Sequence, residues 1–321
     1  MPSADVVGGG AGAGAGAGMP LRYPALHRLG RASWPRTLLG VLVAVVVVLA
    51  IVPTLLAGVY AGLGEPFGDA DFDPLTPAGL TIVSLTWAAA IPTVLLVTHL
   101  VQEVRGSWAL SVVAAIRWRW LVTCIGLSVV AILAAVLVAA VLPDRGGVTL
   151  DDSVNDLTGK SLAFAVIIVF LVPLQSAGEE FAFRGYLTQS LGGVLHGRIG
   201  TAVAVAVPAV AFALAHGAQD PPVFVDRLTF GLVAGVLVVL TGGLEAGIAM
   251  HVVNNWASFG LTLLFGDLTG AVTPDISTWW LLPGTLVQNL GYLALVLWMH
   301  RRTGLRATVE PGVLERPRPR V

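Results

Sequence analysis

Apolar residues in this chain gather in eight long runs separated by short polar stretches, at roughly 38–60, 79–101, 119–142, 161–185, 199–216, 228–242, 245–265 and 279–299. A helix needs about 20 apolar residues to cross the hydrocarbon core of a bilayer. Strands seldom run so long. The pattern therefore predicts an all-α fold, a polytopic membrane helical bundle of about eight transmembrane helices over residues 37–302. The sixth run is the shortest. It carries GLVAG, Gly231 to Gly235, a small-xxx-small spacing that lets two helices approach closely. Residues 1–36 open with VVGGGAGAGAGAG and continue with arginines. They offer little to bury and are predicted to form a disordered leader, with an alternative start at Met19. Residues 303–321 end in VEPGVLERPRPRV and are predicted to be a disordered Pro/Arg-rich tail.

Composition agrees with the runs. The chain is 56% hydrophobic and only 12% charged, where a soluble domain carries about 25% charged residues. A net charge of −1 gives no general attraction for nucleic acid. The single cysteine, Cys124, lies in an apolar run, which excludes an intrachain disulfide framework and a four-cysteine metal site. Lysine and arginine set the orientation. With the N-terminus in the cytoplasm, all of the 18 Lys and Arg except Arg145, Lys160 and Arg227 fall on the inner side, as the positive-inside rule requires. Arg316, Arg318 and Arg320 lie far from a span and count for little. The expectation is an integral protein of the plasma membrane with both termini cytoplasmic. RWRW, Arg117 to Trp120, and WW, Trp279 and Trp280, sit at span ends, where indole rings anchor to the interface.

Ionisable side chains within a membrane are costly unless paired or hydrated, so each marks a candidate site. Glu179, Glu180 and Arg184 close the fourth run in QSAGEEFAFRGYL. Glu180 and Arg184 are four apart, on one helical face in the favoured acid-before-base order. Glu179 points about 100° away and has no cation near it in sequence. The two carboxylates thus divide the labour: Glu180 holds structure with Arg184, while Glu179 is free to act as a general base. The competing reading is a pair of glutamates reaching for the interface. His216 ends the fifth run in FALAH, and HVVNN in the seventh places His251 and Asn255 four apart on one face. Those two could donate to a developing oxyanion or simply bond helices together. Asn254, Gln288 and Asn289 complete the intramembrane polar set. The cluster lies in the second half of the chain, and the first three runs hold nothing comparable.

Together EEFAFR, FALAH and HVVNN resemble the Glu-Glu-x-x-x-Arg, Phe-x-x-x-His and His-x-x-x-Asn motifs of the CPBP intramembrane proteases, the group of CAAX prenyl endopeptidases and bacteriocin-processing or immunity proteins. The resemblance covers about residues 160–265. It implies a helical bundle around a catalytic cavity and peptide-bond hydrolysis, with a peptide or prenylated protein as substrate and the lipid bilayer as the other partner. Carried over, Glu179 and His216 would activate water, His251 and Asn255 would stabilise the tetrahedral intermediate, and Glu180 and Arg184 would support the site. The family is commonly described as metalloprotease, so zinc on Glu179, His216 and His251 is the alternative. There is no His-Glu-x-x-His helix, and no cofactor is favoured.

The expected substrate path is from the cytoplasmic side. One conflict stands in this reading. His216 falls at the outer end of the fifth run, whereas His251 lies about two turns from the inner end of the seventh. Either the fifth run is displaced, or the link LTQSLGGVLHGRIG is embedded, or a boundary is off by several residues. Two other function classes compete: a transporter or proton relay, and a non-enzymatic immunity or scaffold protein.

Overall fold

A computed structural model describes residues 20–63, 75–143, 153–217, 220–266, 268 and 278–309. Among them, eight helices are long and apolar enough to cross a membrane. They are α1 (Trp34–Gly62), α2 (Pro77–Leu100), α3 (Trp118–Ala139), α4 (Gly159–Val194), α5 (Gly197–Leu214), α6 (Pro221–Thr241), α7 (Glu245–Phe265) and α8 (Leu281–Thr303). The predicted all-α bundle is the observed fold. Most spans match the predicted runs within a few residues, but α4 and α6 are longer than their runs.

Helices alternate in direction, so one end of the bundle collects the starts of α1, α3, α5 and α7 with the ends of α2, α4, α6 and α8. This end also collects most of the arginines and is called the arginine-rich end below. Arg117 locks it. Its guanidinium donates to both oxygens of the fully buried Glu245, at 2.8 and 2.6 Å, and to the carbonyls of Thr241 and Arg306. A two-forked pair of this kind fixes geometry as well as charge.

The leader and tail expectations extend onto residues 1–19 and 310–321, which lie outside the described residues. The described parts are ordered, contrary to the sequence reading of 1–36 and 303–321. β1 (Leu21–Arg22) pairs antiparallel with β2 (Thr308–Val309). Residues 23–29 form a 3₁₀ turn that buries Tyr23, Leu26 and His27. Arg28 donates to the carbonyls of Gly192, Gly193 and Leu195, at 2.7, 3.0 and 2.6 Å, which have no helical partners at the end of α4. Composition signalled disorder in this leader; three apolar or aromatic side chains and one arginine are enough to dock its last part.

Small residues set the close approaches. In α6, Gly231 faces Ala209 and Gly235 faces Val205 of α5, as the GLVAG spacing predicts. Gly178 of α4 lies against the backbone of Trp87 in α2, where a Cβ would collide. Trp118, Trp279 and Trp280 are exposed at helix ends, as interface anchors should be. Trp120 is not: it is buried against His300.

α4 does the most to position the site. It bends after Leu171, ahead of Pro173, and passes through a π-helical stretch at Phe181–Leu187 directly after the two glutamates. The wider π turn lets Thr188 donate to the carbonyl of Phe183, five residues back. Such turns often mark functional positions.

Candidate active site

Glu179 and Glu180 sit on the middle of α4, both buried. Glu180 Oε1 accepts from Arg184 Nη1 at 2.9 Å, the i,i+4 pair read from the sequence. It also accepts from His251 Nδ1 at 3.1 Å, across to α7. The carboxylate fits there because residue 247 is glycine: a Cβ at Gly247 would lie 2.6 Å from Glu180 Oε2. The Arg184 guanidinium rests over the ring of Phe212, 4.2 Å from its centroid.

Glu179 turns the other way. Its Oε1 accepts from Gln175 Nε2 at 3.3 Å, and its Oε2 lies 3.9 Å from His251 Nε2. That gap exceeds a hydrogen bond. The imidazole of His251 thus stands between two carboxylates adjacent in sequence, bonded to one and facing the other. Glu180 is paired with Arg184, and Arg227 lines the same cavity as Glu179.

Phe212 joins the two histidines. Its ring centroid is 4.8 Å from that of His216 and 5.7 Å from that of His251, both edge-on. His216 lies just beyond α5, and its Nδ1 hydrogen-bonds to the carbonyl of Phe212 at 2.8 Å. A carbonyl only accepts, so Nδ1 carries the proton and Nε2 keeps its lone pair. The predicted depth conflict therefore disappears. Most of the link LTQSLGGVLHGRIG is the last part of α4, and α5 begins only at Gly197. On the other side, α7 packs along α6 with Gly247 near Ala234 and His251 beside Phe230, their ring centroids 5.1 Å apart. Phe230 lies in the middle of α6, so His251 is at mid-depth, about one helical turn from His216.

Glu179, His216, His251 and Asn255 line one cavity of about 430 Å³. The predicted residues are brought together, but one contact differs from expectation. Asn255 Nδ2 donates to Ser176 Oγ at 3.1 Å, so one of its two N–H groups is already engaged. Sequence reasoning missed Gln175 and Ser176, although both precede Glu179 by one helical turn. It also missed Asp226, which accepts from Thr285 Oγ1 of α8. The predicted sixth run began at 228, but the helix extends to Pro221 and carries Asp226 into the cavity wall. Gln288 Nε2 donates to Asn254 Oδ1 at 3.0 Å on the same wall.

The cavity is closed toward the arginine-rich end. Beneath the Glu180–Arg184 floor lie Leu237, Leu244 and Ala246, all with no exposure. Its walls instead rise from Glu179 and His251 to Leu75, His216, Asp226, Ser258 and Thr285, toward the arginine-poor end. Substrate access from the arginine-rich side, the path expected from the sequence, does not fit this shape.

Among the described residues, no group of three or more His, Cys, Asp or Glu side chains could hold a metal ion. The alternative zinc set of Glu179, His216 and His251 is not brought together as such a group. No step below is routed through a metal.

Residues 159–257 match a family described as type II CAAX prenyl endopeptidase Rce1-like. Over this segment the chain is similar to that family, in line with the resemblance to CPBP proteases drawn from the sequence. The matched segment begins with α4 and ends within α7, so it contains every motif residue named above. The chain is also similar to "Uncharacterized protein YyaK" of Bacillus subtilis (strain 168), 27% identical over 154 residues, which cover 44% of this chain and 49% of that protein. The chain thus spans about half the length of this curated relative. No solved structure matches it. The eight apolar helices mark an integral membrane protein, and the likeness over α4 to α7 points to a hydrolase of the protease class.

Proposed function

We propose that this protein is a CPBP-type intramembrane endopeptidase that hydrolyses a CAAX-type or leader-type peptide by means of a water activated by Glu179 and His216. The observation that carries this reading is the placement of Glu179. Its carboxylate is buried, hydrogen-bonded by the amide of Gln175, and lines the same cavity as His216 and His251. A general base needs an unpaired acceptor within reach of its proton donor; Glu180 is tied through Oε1 to Arg184 and His251, and its Oε2 lies against Gly247, off the cavity lining.

In the proposed reaction, water enters beside Glu179 and loses a proton to its carboxylate, with His216 Nε2 accepting a second hydrogen bond. The hydroxide adds to the peptide carbonyl. His251, held through Nδ1 by Glu180, donates from Nε2 to the oxyanion when protonated, and the second N–H of Asn255 is the other donor. Glu179 returns the proton to the leaving nitrogen as the C–N bond breaks. Preorganised donors of this kind are where most electrostatic catalysis resides. A transporter would need a path to both faces, and among the described residues the cavity reaches only one.

The test is a cleavage assay on purified protein in liposomes with a mixed peptide library, with products sequenced at their new termini. Cleavage that disappears in Glu179→Gln supports the reading. Cleavage that persists in that variant contradicts it.

A further inference from the structure

The charge of the bundle and the shape of its cavity together decide which side of the membrane supplies the substrate. Arg28, Arg36, Arg117, Arg198, Arg301 and Arg302 ring the closed end, where α1, α3 and α5 start and α8 ends. Arg184, counted from the sequence with the inner residues, belongs to the site and reports no orientation. At the open end the sequence has only Arg145, Lys160 and Arg227, and the four loops that connect helices there hold eleven acidic residues. Cytoplasmic loops retain lysine and arginine because translocating them is unfavourable. The closed end therefore faces the cytoplasm, and the cavity opens to the opposite side.

The walls of the open part describe what it takes. Asn254, Asn255, Gln288 and Asn289 line it, with Thr285 and Ser258. Side-chain amides present both donors and acceptors and match the N–H and C=O groups of an extended backbone. An isoprenoid chain would leave Asn289 Oδ1, which is buried without a partner, and the second N–H of Asn255 unmatched, a loss of about 1–3 kcal/mol for each buried group.

We infer that the cavity is entered from the non-cytoplasmic side and accepts an extended, unlipidated peptide segment already translocated across the membrane. The substrate part rests on the proteolytic reading above. The orientation part does not.

Two measurements separate them. In a Cys124→Ser background, Ser258→Cys at the open end and Thr303→Cys at the closed end are treated in intact cells with a membrane-impermeant maleimide. Ser258→Cys is expected to label at once and Thr303→Cys only after the membrane is opened; Gln288→Cys replaces Ser258→Cys if that variant does not accumulate. The reverse pattern overturns the inference whatever the protein hydrolyses. An unprenylated peptide library is then given to right-side-out and inside-out vesicles. Cleavage confined to the right-side-out preparation and lost in Glu179→Gln is the expected result. Cleavage confined to inside-out vesicles, or to a prenylated Cys-a-a-X peptide, overturns the substrate class. No cleavage in either preparation, with outward labelling of Ser258→Cys, overturns the proteolytic reading and leaves the orientation standing.

Discussion

His251 Nδ1 bonds Glu180 Oε1 at 3.1 Å while its Nε2 faces Glu179 Oε2 at 3.9 Å. One imidazole from α7 thereby separates the functions of two neighbouring carboxylates on α4. Glu180 is committed to Arg184 and His251, and Glu179 is left open to the cavity. Glu180→Ala should strand Arg184, which is 1% exposed, without its partner. Breaking a buried pair from one side costs about 3–5 kcal/mol. Thermal unfolding in detergent should show this as a large fall in Tm, accompanied by loss of activity; an unchanged Tm would mean that the pair does not hold the helices.

Gly247 offers a finer probe of the same contact. A methyl group there would press on Glu180 Oε2 from 2.6 Å, and overpacking of this kind typically costs about 1–3 kcal/mol. Gly247→Ala should fold but lower turnover, because displacing Glu180 releases His251. The comparison of its kcat with its KM checks this: the effect belongs in kcat.

Asn255 stands at the cavity wall with one N–H on Ser176. Removing an oxyanion donor typically reduces kcat by about 10²–10³. Asn255→Ala should fall in that range, while Ser176→Ala, which removes only the group orienting it, should lose less. Equal losses would assign Asn255 to structure.

The docked N-terminal turn gives the protein an acid-sensitive element outside the membrane spans. Burial lowers the pKa of His27 from its ordinary value to about 3. The unfolded chain takes up a proton near pH 6.5 and the folded chain does not, so His27 is neutral in both states above that pH. Between pH 6.5 and about 3 the unfolded state gains the proton alone. Stability should therefore fall as pH drops through this window, by at most about 1.4 kcal/mol per pH unit. Thermal unfolding from pH 7.5 to 5 should show a steeper decline for the native chain than for His27→Phe.

Much of this was legible in the sequence because lipid exposes errors of polarity. Eight apolar runs gave eight helices, and Glu179, His216, His251 and Asn255 line one cavity. What escaped were features that hydropathy does not encode. The continuation of α4 to Val194 was hidden by glycines and polar residues at 188–193, which a helix end beyond the apolar layer tolerates. Asp226 falls outside the sixth apolar run, which starts at residue 228, although the helix begins at Pro221. The docking of Tyr23, Leu26 and His27 depends on Gly192 and Gly193 elsewhere in the chain. The side on which the cavity opens required three-dimensional walls as well as the arginine count.

The central claim is that Glu179, and not its neighbour, activates the water. It is tested most directly by the kcat of purified Glu179→Gln on a peptide that the native protein cleaves, with Tm measured on the same sample. A general base is worth about 10²–10⁴ in rate, so the expected result is a loss of that size with Tm nearly unchanged. A kcat equal to that of the native protein would contradict the account.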